Sequence, residues 1–256
     1  REGMRLVAPL AGAGIFALAG GAAVALVDAA TFVISAGTLF ALRFEEPVPA
    51  PREHHFLREM SAGLVHIART PVLRQLTIGI GAVLLVAGFG ETLVFAITGG
   101  LHHKPTFVGV IDSFQGVGAI AGGVSAPWML RRIGDLRLAG VGVALFGAGI
   151  ALWLISDAAV VLAGTAVAGA GIVWAVVSLS TAYQRRSPAD VQGRVAAAAN
   201  MLFSVPQTIS IAAGAALIAL IDWRIEIVAV CCVFALASAY MLTRPNEAAK
   251  VEPALA

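Results

Sequence analysis

Residues 158–183 read AAVVLAGTAVAGAGIVWAVVSLSTAY and contain no charged side chain. A helix needs about 20 apolar residues to cross the hydrocarbon layer of a bilayer, which is roughly 30 Å thick. A soluble protein would have to bury a helix that is apolar on every side. The stretch therefore predicts a transmembrane helix, and similar stretches recur along the chain.

The composition of the whole chain agrees with this interpretation. Apolar residues make up 59% and charged residues 12% of the 256 residues, and the mean hydropathy is +0.90. An ordinary soluble domain contains about 25% charged residues. The net charge is +2, and no run of basic residues suits nucleic acid. The composition excludes an ordinary soluble domain, so we expect a lipid bilayer, and no nucleic acid, around the chain.

Eight stretches have the length and composition of a membrane span, so the predicted fold is an all-α polytopic membrane protein. The first two meet at Gly20 and Gly21, and the fifth and sixth meet around Asp157. The eight predicted spans are 6–21, 23–42, 75–98, 106–130, 138–156, 158–183, 195–220 and 225–243.

The basic residues predict how these spans are oriented. Fifteen of the 17 Lys and Arg residues fall in alternate connections and at the two ends, while the opposite side has only Lys104 and Arg224. Cytoplasmic loops of membrane proteins carry the excess of Lys and Arg. We therefore expect a multi-pass protein of the inner cell membrane with both ends of this chain in the cytoplasm.

The longest connection, 43–74, divides the chain unequally. Its first part, EEPVPAP at 45–51, is predicted to be extended because closely spaced prolines resist helix formation. Its second part places Phe56, Met60, Leu64 and Ile67 on one face, which predicts an amphipathic helix at the cytoplasmic membrane surface. The connection either couples two moving halves or is a passive tether. The predicted divisions are two helices in 1–43, a linker at 44–74, a six-helix bundle at 75–244 and a tail at 245–256.

Enzyme motifs do not stand out. The chain has no P-loop, and the glycines at 116–118 lack the spacing and the preceding strand of a dinucleotide-binding loop. Gly118 and Gly122 instead predict close helix packing. Cys231 and Cys232 are adjacent in an apolar run and suggest packing rather than a disulfide. His102 and His103 alone make a poor metal site. We expect no enzyme activity, catalytic residue, cofactor or metal.

Three stretches carry a family resemblance: LVDAATFVISA at 26–36, LVHIARTPVLRQL at 64–76 and PADVQGRV at 188–195. They resemble, in this order, the sixth helix, the start of the seventh and the loop before the eleventh in one branch of the major facilitator superfamily. That branch is the efflux branch that includes the enterobactin exporter and macrolide efflux proteins. The resemblance implies that the eight spans correspond to helices 5–12 of a twelve-helix transporter. It also implies that the four preceding helices are missing from an N-terminally truncated chain.

Two motifs depart from the family pattern. The cytoplasmic gating motif of the superfamily contains Asp-Arg-x-Gly, whereas this chain has Arg131, Arg132, Ile133 and Gly134, followed by Asp135. Because Arg131 occupies the place of the acid, a gating salt bridge from that position is in doubt. The antiporter motif of the fifth helix is matched only partly by APLAGA at 8–13, which favours export weakly.

Acidic residues inside predicted spans are costly to insert and so point to function. Three such acids are Asp28, Glu91 and Asp112, each nearer the outer face and without a cation in a span. A carboxyl group whose surroundings alternate between buried and exposed can carry a coupled proton. Glu91, which follows a bend expected at Gly88–Gly90, is the first candidate for proton coupling, and a structural role is the favoured alternative for each of the three acids.

Neutral polar residues suggest where a substrate would bind. Gln115 shares a helix face with Asp112, one turn away. Asn200, Ser204 and Gln207 share a face of a span that Pro206 interrupts. These residues line a cavity, or they form hydrogen bonds between helices. Trp174 either stacks on a substrate or packs between helices.

The predicted function is a secondary active transporter that exports a small amphipathic compound, of drug or siderophore type, in exchange for protons by alternating access. Export and substrate class follow from the family resemblance alone. The expected partners are this small molecule, protons, lipid and the missing N-terminal helices. The alternatives are a non-transporting membrane scaffold or sensor on a decayed transporter fold, and an inactive fragment.

Overall fold

The computed structural model of the chain describes residues 25–41, 56–188, 191–217 and 220–244. All regular structure in these ranges is helical, which confirms the all-α prediction. Short 3-10 segments at Pro105–Phe107 and Leu152–Leu154 adjoin the α-helices. The α-helices are α1 (Ala25–Ala41), α2 (Phe56–Arg69), α3 (Pro71–Ala87), α4 (Gly90–Gly100), α5 (Val108–Ile133), α6 (Asp135–Ala151), α7 (Ala158–Arg186), α8 (Gln192–Leu217) and α9 (Trp223–Thr243).

Five helices in the described ranges are long and apolar enough to cross a membrane, and they match the last five predicted spans. A sixth is added if the pair Ser61–Arg69 and Pro71–Ala87, bent by 105°, counts as one span. The predicted span 75–98 is divided between α3 and α4, and the span 23–42 contains α1. The span 6–21, the motif at 8–13, the proline-rich stretch at 45–51 and the tail from 245 lie outside the described residues. The count of eight stays a prediction.

Local sequence sets the helix ends. Pro71 begins α3, where its missing N–H leaves no helical hydrogen bond unmade, and Thr70 before it is extended. Gly134 separates α5 from α6 with a φ of 78°, a conformation that L side chains rarely adopt. Asp157 and Asp222 cap α7 and α9, because their carboxylates accept backbone N–H groups of Val160 and Arg224.

Glycines bring α7 against both α5 and α6. A methyl group built on Gly118 or Gly169 would overlap a backbone carbonyl of the facing helix, at Ala166 and Gln115 respectively. A methyl group on Gly142 of α6 would lie 2.6 Å from the carbonyl oxygen of Gly171. The close packing predicted from Gly118 and Gly122 is therefore realised, and the partner helix is α7.

Two apolar clusters fill the bundle. One joins α3, α6 and α9 through fully buried side chains such as Leu76, Leu136 and Phe234. The other joins α4, α5 and α7, with Leu93, Ile111 and Val161 among its members. Between these clusters the helices surround the cavity described below. The residues of α1, in contrast, are all exposed.

Helix α2 is the amphipathic helix predicted within the linker, and Leu64 and Ile67 of its apolar face pack against the bundle. Ile67 is buried and Leu64 packs on the same cluster. A methyl group on Gly63 would overlap the carbonyl oxygen of Arg194. Nε2 of His66 donates to the carbonyl oxygen of Arg186 at 2.9 Å. These contacts fix α2 to the ends of α7 and α8.

Candidate functional site

A cavity of about 290 Å³ lies within the bundle and receives residues from α3 to α8. Most of its wall is aliphatic or aromatic, and Phe146 and Trp153 are its two aromatic members. Two acids and two amides interrupt this wall, namely Glu91, Asp112, Gln115 and Gln207. Four of the residues singled out in the sequence thus come together in one place.

Glu91 reaches the cavity because the helical hydrogen bonding changes just before it. The N–H groups of Phe89 and Glu91 bond to the carbonyls of Val86 and Gly88, at 3.1 and 3.3 Å. This spacing of three residues is that of a tighter 3-10 turn. A methyl group on Gly88 would come within 2.5 Å of the backbone nitrogen of Ile211 on α8. The break therefore occurs at a close approach of α8, and Glu91 follows it in the first turn of α4.

Asp112 and Gln115 lie one turn apart near the start of α5, and both face the cavity. The carboxyl groups of Asp112 and Glu91 line the same cavity from α5 and α4. Within the described ranges, neither carboxyl group has a basic residue beside it in the cavity wall. The mostly apolar wall of the cavity therefore contains two acids, of which Asp112 is half-buried and Glu91 is exposed.

Helix α8 supplies Gln207, but its predicted polar face is divided. Asn200 lines a second cavity of about 330 Å³ between α7 and α8, together with Tyr183 and Gln184. Ser204 is exposed and lines neither cavity. Because Gln207 and Asn200 line different cavities, the predicted polar face of α8 does not form one continuous site.

Trp174 and Asp28 lie away from the main cavity. The indole N–H of Trp174 is directed toward α5, at 3.0 Å from Oγ of Ser125 and 3.1 Å from the carbonyl oxygen of Gly122. This geometry is that of helix packing. Asp28 is exposed on α1, and its backbone carbonyl accepts the hydroxyl of Thr31 at 2.7 Å. In the described part of the chain, neither residue contributes to the cavity.

The gating motif contains an ion pair, but its acid is Asp135, four residues beyond the position that Arg131 occupies. Arg131 and Arg132 are exposed at the end of α5, and the guanidinium of Arg132 lies 4.1 Å from the ring centre of Trp128. Asp135, only 4% exposed, accepts from Nη2 of Arg186 at 3.0 Å. The acid after Gly134 thus joins the start of α6 to the end of α7.

Sequence reasoning missed one buried acid and much of the cavity wall. Glu226 lies in the predicted span 225–243, so the count of three acids within spans was wrong. It is 2% exposed, and neither carboxyl oxygen has a hydrogen-bond partner in the described ranges. A check of each span for acids would have found it. Nothing in the sequence pattern placed Trp153 and Thr165, which bond to one another at 3.0 Å, beside the cavity.

Comparison with known proteins gives a family and a fold. The sequence model of the Major Facilitator Superfamily matches residues 3–211 and 84–255. A crystal structure described as a bacterial homologue of the iron transporter ferroportin, in an inward-facing state, matches with a TM-score of 0.67 and 16% identity. The match covers 94% of this chain and 60% of that one. The chain therefore spans less than two thirds of that protein's length, and the likeness supports the fold alone. Among curated proteins, none matches.

Proposed function

Because the chain belongs to the Major Facilitator Superfamily, we propose that it forms the C-terminal part of a secondary transporter that exports a small amphipathic compound in exchange for protons. The observation that carries this proposal is the cavity lined by Glu91, Asp112, Gln115 and Gln207. Polar groups are costly in a membrane bundle and mark substrate and proton pathways. The proposed activity involves movement across the membrane and no covalent step.

The break before Glu91 supports a role for this residue in proton coupling. Discontinuous helices in transporters place functional groups near the middle of the membrane. In the proposed cycle, Glu91 binds a proton while the cavity is open to the outside. The two halves of the transporter then rock around the cavity, and Glu91 releases the proton to the cytoplasm. Asp112 lines the same cavity and is the second candidate for the proton site.

The orientation in the membrane is also a proposal. The ends of α5 and α7 and the start of α8 carry Arg131, Arg132, Arg185, Arg186 and Arg194. We call this the arginine-rich end, and we assign it to the cytoplasm of the cell because cytoplasmic loops retain Lys and Arg. The cytoplasmic placement of both chain ends follows from the same rule.

Flux in proteoliposomes tests the proposed function. The complete protein is reconstituted with a pH gradient and offered rhodamine 6G, a neutral coumarin or carboxyfluorescein. We expect uphill movement of at least one probe, and we expect a protonophore to abolish it. Entrapped pyranine reports the accompanying protons. The Glu91→Gln variant should lose the proton-driven movement, because an amide cannot carry the coupled proton.

Asp157→Asn is the matched control, since Asn also caps helices well and Asp157 lies in the connection before α7. This control should transport like the parent protein. If no probe moves uphill in the parent protein, the transporter proposal fails, and a non-transporting scaffold takes its place. If Glu91→Gln still couples flux to protons, only the assignment of Glu91 is lost.

A further inference from the structure

We propose that the cavity is selective for apolar organic compounds that carry a positive charge. This inference deepens the proposed function and rests on it. It concerns the charge of the substrate, which neither the family match nor the fold comparison addresses.

The wall of the cavity has one sign of charge. Its ionisable members within the described ranges are Glu91 and Asp112, and the remaining lining residues are neutral. Opposite charges attract far more strongly in apolar surroundings than in water. A positive ligand would therefore be attracted into the cavity, and an anion of the same shape would be repelled.

Lys104 and Arg224 are the two basic residues predicted on the side opposite the other fifteen, and both are directed away from the cavity. Lys104 is exposed in the connection after α4. Arg224 donates to Oγ of Ser156 at 3.2 Å, and its guanidinium lies 5.1 Å from the ring centre of Trp223. Neither residue belongs to the cavity wall. In the described part of the chain, the two acids thus have no protein cation that a ligand would need to displace.

The remaining wall indicates what the rest of the ligand is. Phe146 and Trp153 contribute aromatic surface, and aliphatic side chains such as Ile80, Val83 and Ile172 surround them. Pockets of this type hold apolar ligands and fix their orientation with a few polar groups. Gln115 and Gln207 are the amides that would orient such a ligand. The combination fits an organic cation better than a small hydrated ion, which needs a continuous set of polar ligands.

The same two acids would then bind either protons or substrate. A cation that binds at Glu91 and Asp112 favours the ionised carboxylates, so it displaces protons from them. Protonation, in turn, removes the charge that holds the cation. This competition makes outward movement of the cation and inward movement of protons mutually exclusive steps at one site. It predicts that cation binding weakens as the pH falls.

Two ions of matched shape test the charge selectivity. Tetraphenylphosphonium and tetraphenylborate have the same four phenyl groups and opposite charges. Binding to the purified complete protein in a neutral detergent is followed by tryptophan fluorescence, because Trp153 lines the cavity. We expect saturable binding of the phosphonium, weaker at acidic pH, and no saturable binding of the borate.

Variants show whether the phosphonium binds in the cavity, because its binding to detergent is the same for every variant. Glu91→Gln, Asp112→Asn and their combination should weaken phosphonium binding at least about tenfold, as expected when a charged partner is removed. The combined variant should also abolish its pH dependence, because it removes both carboxyl groups, whereas Asp157→Asn should bind like the parent protein. Thermal unfolding of each variant checks that it is folded, and the comparison of the two ions in the parent protein does not depend on any variant.

Equilibrium binding requires no transport, so its outcome is independent of the flux experiment. Tight phosphonium binding without proton-driven flux would retain the charge selectivity and reject the transport cycle. Equal binding of borate and phosphonium would overturn the inference even if flux were observed. Displacement of the phosphonium by micromolar Mn²⁺ would also overturn it, because the site would then be one for inorganic cations.

Discussion

Asp135 and Glu226 are both almost fully buried, but their surroundings differ. Asp135 is paired with Arg186 at 3.0 Å, whereas both carboxyl oxygens of Glu226 have no partner among the described residues. Removing one member of a buried ion pair leaves an uncompensated charge. An isolated buried carboxyl group instead carries a desolvation cost that nothing offsets. The two acids should therefore respond in opposite ways to removal of their polar groups.

We predict that Glu226→Leu stabilises the protein. An unsatisfied buried polar group costs about 1–3 kcal/mol, and leucine removes it at a position that is 2% exposed. Thermal unfolding in detergent should show a higher midpoint. Glu226→Gln is the control, because it keeps a polar group of similar size and should change the midpoint much less. A lower midpoint for the leucine variant would mean that Glu226 has a partner or a function that requires its charge.

At the level of elements, the structure separates glycines that determine helix contacts from glycines that do not. Gly118 and Gly123 lie five residues apart on α5. A methyl group on Gly118 would overlap the carbonyl oxygen of Ala166, while the nearest atom to a methyl group on Gly123 is 4.0 Å away, in the side chain of Val173. The sequence pattern at Gly118–Gly122 predicted a contact without naming the partner. Only the folded bundle identifies α7.

We predict that Gly118→Ala destabilises the bundle and Gly123→Ala does not. Overpacking a tight contact costs about 1–3 kcal/mol. An alanine without steric conflict instead gains about 0.5–1 kcal/mol in a helix. Unfolding in detergent monitored by circular dichroism measures both variants under the same conditions. Equal stability of the two variants would show that α5 and α7 can separate without loss, which would contradict the close packing described here.

At the scale of the whole molecule, α2 is packed against the helix bundle. Its buried face, the hydrogen bond from His66 and the contact at Gly63 all reach α7 or α8. Movement of the bundle would therefore carry α2 with it. The choice between a coupling linker and a passive tether stays a prediction.

We predict that Gly63→Val releases α2 and that Ala68→Val does not. Both changes introduce the same side chain into the same helix. At Gly63 the new atoms would overlap the carbonyl oxygen of Arg194, whereas Ala68 is exposed. Hydrogen exchange followed by mass spectrometry should show lost protection over residues 61–69 in the first variant only, because exchange reports local opening. Unchanged protection in both would mean that α2 is held by other contacts.

The sequence alone determined the spans and several of their ends. A helix in lipid must satisfy its own backbone hydrogen bonds, so an apolar run of sufficient length specifies the helix locally. For this reason the last five predicted spans overlap α5 to α9, and the break predicted around Asp157 lies directly before α7. The break before Glu91 was also visible in its glycines.

The tertiary structure decided which polar residues meet. Gln207 enters the cavity with Glu91, while Asn200, on the same helix and predicted to share its face, enters another. Asp135 and Arg186 form an ion pair across 51 residues of chain, and Glu226 is buried without a described partner. These outcomes depend on the rotation of each helix and on how closely glycines let its neighbours approach. Contacts of this kind join segments that are distant in the chain. The helical period predicts only which residues of one helix share a face, so it cannot specify these contacts.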